Sequence, residues 1–246
     1  MNLSRIGDID LTYDGVALSD HFIVANVAMP LLPTFDSSAM YIDGKPGAWF
    51  TGRKIGTRDI RVTLKLLSDT KKRIDAMETW IGLSGLIAKD KVCKLELGNG
   101  YYVNAIMMDD SPLNRTGRMS TAEITFRCFD PYIYGEEHTV DIKSGSNIVV
   151  IEGQCPVWPT FEITGHSTSA ANAIRDTKTG YQVRVPSIAA STAKLVVDMA
   201  GHYCTLNGNY KACDPSVTDF FQLPVGENTI SLSYGSGIMK YTEMYL

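Results

Sequence analysis

The chain is predicted to be mainly β, built as two sandwich-like domains, the first carrying one helix and a projecting hairpin arm. Three features of the sequence predict this. Alternating strands surround a single helix-like segment in the first half, only short strands follow in the second, and Phe126 to Gly165 separates the two textures. The centre of that stretch, Asp130-Pro131-Tyr132-Ile133-Tyr134-Gly135, suits a chain that leaves one sheet for another. Pro131 removes a ladder donor and fixes φ, Asp130 before it is pushed to an extended conformation, and Gly135 permits a turn. Phe126, Phe129, Tyr132 and Tyr134 are costly to leave in water, so the join is expected to be a stiff, packed elbow. The expected boundary gives residues 1–130 to the first domain and 131–246 to the second.

In the first domain, Asp8 to Tyr13 alternates Ile9 and Leu11 with polar neighbours and predicts a strand. Phe22 to Ala28, FIVANVA, predicts a second, more uniformly apolar and therefore central in its sheet. From Met29 to Thr57 no period is sustained. So long a structureless loop is improbable inside a compact domain, and a β-hairpin arm with Asp43-Gly44 at its tip accounts for it. Such an arm must bury Tyr41, Trp49 and Phe50, either on its own domain or on a neighbouring copy; Met29, Pro30 and Leu31 at its root belong to the same candidate interface.

Ile60, Val62, Leu64 and Leu66 alternate with Asp59, Arg61, Thr63 and Lys65, the clearest strand in the chain. Ser68 and Asp69 offer helix caps, Ile74, Met77 and Ile81 fall at helical spacing beside Trp80, and Gly82 is expected to end the helix. Lys71, Lys72 and Arg73 crowd its start, where the dipole disfavours cations; they suit a solvated face or an acidic partner. A hairpin is expected about Gly98-Asn99-Gly100, and Ala122, Ile124, Phe126 and Cys128 alternate along the strand leading to the elbow. The first domain is thus an α+β sandwich or barrel. Beyond the elbow, strands are expected at 137–143, 147–152, 157–164, 180–185, 193–199, 201–206, 227–234 and 238–245, spaced as in a jelly-roll sandwich.

Composition bounds the function. The chain has 246 residues, 44% hydrophobic and 20% charged, with a formal charge of −4, which disfavours a phosphate-binding surface. The opening residues hold no apolar run, so no signal peptide is expected, and no stretch has the apolar length of a membrane-spanning helix. Five scattered cysteines without a C-x-x-C read as buried hydrophobes in a reducing compartment.

Catalytic chemistry is thin. His202, Cys204 and Cys213 are soft-ligand types, but a structural zinc site wants four ligands and no fourth is evident. Asp8/Asp10 and Asp109/Asp110 lack the loop of a calcium site, and Asn2-Leu3-Ser4 and Asn114-Arg115-Thr116 match the glycosylation pattern without a secretion signal. Asp109/Asp110 and Glu136/Glu137 are adjacent in sequence and so point to opposite faces of a strand, unlike paired catalytic carboxylates. Tyr210 or Phe220-Phe221 would serve a carbohydrate-binding sandwich, the rival to a structural role; a hydrolase ranks below both. No cofactor and no metal are expected.

Four groups of residues, in order along the chain, resemble the distal tail protein (Dit) family of long, non-contractile-tailed bacteriophages. They are Tyr13-Asp14-Gly15-Val16 with Phe22-Ile23-Val24; Asp43-Gly44-Lys45-Pro46-Gly47-Ala48 with Arg53 and Arg58-Asp59-Ile60; Phe126 to Tyr132 with Gly153 and Pro156-Val157-Trp158-Pro159; and Val197-Asp198, Leu206-Asn207-Gly208 and Asp219 to Ile230. The resemblance implies a structural hub and no enzyme. Its first domain would be tail-tube-like and close into a homo-hexameric ring around the DNA channel, with the arm at 29–57 contacting the next copy. Its second would be a galectin-like sandwich outside the ring. Tail tube protein would meet one face and the tail-associated tip protein the other, in a virion assembled in the host cytoplasm, with no membrane insertion and no specific DNA binding. The purified protein is accordingly expected to ignore duplex DNA at physiological salt in a mobility-shift titration. Micromolar binding with a steep salt dependence would contradict the reading of its charge.

Overall fold

The computed structural model describes residues 10–20, 22–67, 73–108, 111–116 and 119–246. The chain divides into two compact units, the first running to Ile133 and the second from Tyr134 to Tyr245. Asp8, Ile9, Ser68, Asp69, Lys71, Lys72, Asp109, Asp110 and the Asn2-Leu3-Ser4 motif lie outside the described residues.

The first unit contains β1 (Thr12–Tyr13), β2 (Val16–Ala17), β3 (Ile23–Ala28), β4 (Phe35–Tyr41), β5 (Ala48–Ile55), β6 (Arg58–Leu67), α1 (Arg73–Ile87), β7 (Cys93–Gly98), β8 (Tyr101–Met107), β9 (Leu113–Thr116) and β10 (Met119–Cys128). Its backbone is the antiparallel pair β6–β10, in register without a slip from Met119 opposite Leu67 to Cys128 opposite Arg58. Ile60, Val62 and Leu64 thereby face the core beside Phe126, Ile124 and Ala122, all buried. One residue of slip would turn both rows to water, so the apolar alternation itself fixes the register. β3 adds to β6, β9 and β8 to β10, and β7 and β1 continue from β8. The sheets do not close into a barrel.

Two expectations need correction here. Among the described residues β3 is an edge strand, paired only to β6, with Ile23 exposed and a bulge between Val24 and Asn26; its apolar run does not mark a central strand. The helix does not stop at Gly82 but continues through Gly82 and Gly85 to Ile87. Its core stripe is Trp80, Leu83 and Ile87, whereas Met77 and Ile81 are exposed. Trp80 fixes that choice: its ring lies 4.6 Å from Phe22 and its indole N–H donates to Ser120 Oγ at 2.8 Å, satisfying a buried donor. The hairpin about Gly98-Asn99-Gly100 forms as expected, all three residues having positive φ.

The second unit contains β11 (Ile133–Ile151), β12 (Thr160–Thr164), β13 (Asn172–Asp176), β14 (Gln182–Val185), β15 (Leu195–Asp198), β16 (Tyr203–Leu206), β17 (Asn209–Tyr210) and β18 (Gly226–Tyr245). β18 serves three neighbours, β11 along one edge and β13 and β12 in turn along the other. Ile230 to Leu232 pair with β13, and Ser236 to Lys240 pair with β12. Where β18 passes from β13 to β12 the backbones press so closely that a Cβ on Gly235 would collide with the carbonyl of Thr164, and one on Gly237 with the carbonyl of Glu162. Glycine is required there by contact, and β18 can bend from one partner to the other. The strands expected at 227–234 and 238–245 are therefore one, as are those expected at 137–143 and 147–152, which join through Gly145 at φ 96°. β13 was not among the expected strands. A chain of residues 134–246 alone is expected to show β-type circular dichroism and one cooperative thermal transition; a flat melt would show that its core depends on the first unit.

Candidate subunit interface

β4 and β5 form a two-stranded sheet that pairs with no other strand among the described residues. Their register runs from Phe35 opposite Ile55 to Tyr41 opposite Ala48, with a shift between Ser38 and Ala39 where Gly52, at φ 154°, lies opposite. At the tip Lys45 N–H donates to Ile42 C=O at 3.1 Å, and Gly44, at φ 78°, takes the position that a type II turn reserves for glycine. Asp43-Gly44 is thus at the tip, in a six-residue loop, 42–47, and not in a two-residue turn.

Alternation places Phe35, Tyr41, Phe50 and Ile55 on one face of this arm and Met40 and Trp49 on the other. They are not packed away: Tyr41 is 80% exposed, Phe50 67% and Trp49 55%. Local cover comes from two cations, Lys45 over Trp49 at 4.7 Å and Arg53 over Phe35 at 4.3 Å. An isolated two-stranded hairpin is marginal in water, and contiguous exposed aromatics mark association surfaces.

The root is held where the arm is not. Thr34 N–H and Oγ1 both donate to Thr57 C=O, and Gly56 N–H donates to Thr34 C=O at 2.7 Å. Arg58, which begins β6, occupies the core-facing position of the 58-60-62-64 alternation and is fully buried. Its Nε donates to Pro131 C=O at 3.1 Å and its Nη1 to Pro30 C=O at 3.0 Å, while Nη2 is buried without a partner. Burial lowers the pKa of this guanidinium from its ordinary value, and the same burial pushes the facing Cys128 thiol up to about 12. Next to them, Asp59 takes a bidentate pair from Arg127, both contacts at 2.8 Å, and that hydrogen bonding holds its carboxyl below the usual range. Beside the root lies an open groove of about 500 Å³ lined in part by Met29, Pro30, Leu32 and Pro33, with Leu31 87% exposed nearby.

The remaining candidates separate cleanly. Phe129 is 56% exposed, so it is not packed as the elbow reading expected. Asp130 accepts from Tyr132 N–H at 3.4 Å. Gly135 makes no turn: it lies within β11 and lacks a positive φ, and a Cβ there would press on Glu243 and Tyr245. His202 is not brought to Cys204 and Cys213 as a ligand; its ring lies between Trp158 and Phe220 at 5.4 and 5.2 Å. Tyr210 is exposed, whereas Phe221 is in the core. Among the described residues, one group has the makings of a metal site, His138, Glu152 and Glu243, with ligand atoms within 4.8 Å of one another. Glu243 is already engaged there, by Tyr245 OH at 2.6 Å and His138 Nε2 at 2.8 Å. No helix among the described residues is long and apolar enough to cross a membrane. Sequence reading missed Arg58, whose signal was an arginine at an inward position of the best alternation in the chain.

Residues 152–245 match the family described as "Siphovirus-type tail component, C-terminal domain". Over its full length the chain is 25% identical to the distal tail protein of Bacillus phage SPP1, and the match covers all of both proteins. The crystal structure of SPP1 Dit, described as a paradigm of the hub adsorption apparatus in phages infecting Gram-positive hosts, superposes with a TM-score of 0.86 at 18% identity. It covers 98% of this chain and 100% of that one, and it shows the shared fold. A chain of the phage P2 baseplate aligns more loosely, at TM-score 0.47 and 13% identity over 88% of this chain and 90% of that one.

Replacing Arg58 with Ala removes its hydrogen bonds to the Pro131 and Pro30 carbonyls and leaves a cavity where the buried side chain was, so a loss of about 3–5 kcal/mol is expected. Arg58→Lys should recover only part of it, because one ammonium cannot reproduce the fork. Urea unfolding of the full chain measures both, and an Ala variant as stable as the parent would deny Arg58 its role.

Proposed function

Because this chain belongs to the siphophage distal tail protein (Dit) family, we propose that it closes into a hexameric ring that joins the tail tube to the tail-tip proteins and surrounds the DNA channel. The chain is a structural component of a phage tail, a virion protein. In the proposed ring, the first unit is the tail-tube-like, ring-forming domain and the second a galectin-like domain on the outside. One face meets the tube protein and the other the tail-associated tip protein, and DNA passes without specific contact, which the net charge of −4 suits. Assembly takes place in the host cytoplasm, and no reaction is assigned to the chain.

The observation that carries this reading is the arm, whose largest side chains are exposed on a hairpin that, among the described residues, pairs only with itself. Aromatics of this kind bury on the order of 150–250 Å² each and are enriched where subunits meet. A head-to-tail contact repeated in one rotational sense closes a ring. The groove at the root, lined by Met29, Pro30, Leu32 and Pro33, offers apolar surface to the arm of a neighbouring copy.

Replacing both Trp49 and Phe50 with Ser should therefore weaken assembly and leave the melting temperature of the monomer nearly unchanged. Sedimentation velocity beside a thermal melt reads both. A variant that is destabilised yet still forms rings would show that the arm belongs to its own domain.

A further inference from the structure

Two of the five cysteines face each other. Cys204, fully buried on β16, and Cys213, half-buried beyond β17, place their Sγ atoms 2.7 Å apart. The backbone holds this approach from both sides. The β16–β17 hairpin turns at Asn207 and Gly208, both with positive φ, and Lys211 N–H donates to Cys204 C=O at 2.8 Å, adding a rung beyond β17. Asp214 N–H then donates to Arg184 C=O at 2.8 Å, so the chain leaves toward β14 immediately after Cys213. Bringing the sulfurs to the about 2.0 Å of a bond asks each to move by only a fraction of an ångström. Metal binding is not the better use of the pair, since the His202 ring is occupied by Trp158 and Phe220 and two thiols alone do not close a zinc site.

We propose that Cys204 and Cys213 form a reversible disulfide when they meet a small oxidised thiol such as glutathione disulfide, tying the segment after β17 to the sheet edge. Cys213 is the attacking thiol: it is the more accessible, and the sulfur hydrogen bond with Cys204 lowers its pKa. Its thiolate attacks one sulfur of glutathione disulfide, that S–S bond breaks, and one glutathione thiolate leaves. Cys204, whose pKa is raised, loses its proton in the second step and attacks Cys213 Sγ, releasing the second glutathione. Two protein thiols are oxidised, one glutathione disulfide is reduced, and the two protons pass to the two departing thiolates.

The test uses the full chain, first reduced, then incubated with glutathione disulfide, with free thiols alkylated after denaturation and peptides identified by mass. The five cysteines should yield three alkylated residues and one cross-linked peptide joining Cys204 to Cys213. The melting temperature should rise on oxidation and fall back with reductant. Cys213→Ser, checked for folding by circular dichroism, should retain all its remaining thiols and show no shift. A glutathione adduct that stays on Cys213, a cross-link through Cys155, or undiminished thiols in the parent would each overturn the proposal.

Discussion

Much of the first unit depends on one constraint, the unslipped register of β6 against β10. It aligns two rows of buried apolar side chains, and at its end it sets Arg58 inside the core facing Cys128. A buried guanidinium is costly unless its donors are used, and here two are used on the carbonyls of Pro30 and Pro131. Proline leaves its carbonyl free to accept while withholding a donor, so both segments can be held from one side by arginine. The root of the arm is thereby fixed to the segment that follows β10. Fixing the root matters because the arm has no core of its own: it is positioned at its base and left free for contact along its length.

The second unit solves a different problem with glycine. A twenty-residue strand, β18, changes partner midway along one edge, from β13 to β12, and the collision a Cβ would make at Gly235 and Gly237 explains why side chains are missing there. The arm and this bent strand illustrate opposite uses of exposed and hidden backbone. On the arm, glycines shape a loop and a bulge in solvent; in β18 they allow two backbones to touch.

The legible parts of the sequence were those where a side-chain period is the physical cause of the fold. Ile60-Val62-Leu64 and Ala122-Ile124-Phe126 read correctly because burial on one face is what selects them. The hairpin at 98–100 read correctly because its residues need positive φ. FIVANVA misled because a bulge and an edge position leave apolar residues such as Ile23 exposed, and an apolar run alone does not tell edge from centre. Gly82 misled because a glycine ends a helix only when no tertiary contact continues it, and Leu83 and Ile87 supply that contact. β13 was missed since Asn172, Ile174 and Asp176 alternate as a buried row with polar ends, where Asp176 serves a turn through Lys178 and Thr179. At the candidate interface, the arm's aromatics were visible as residues without a period. Arg58 was not, because its partners are backbone carbonyls far away in sequence and leave no side-chain pattern.

In the proposed ring the arm is completed by a second copy of the chain. The most direct measurement is the molar mass of the purified full-length protein by light scattering across a wide concentration range, with negative-stain images of the heaviest fraction. The mass is expected to climb with concentration to that of a closed hexamer, with ring-shaped particles in the images. A protein that remains a monomer at the highest concentrations, with no rings in the images, would contradict it.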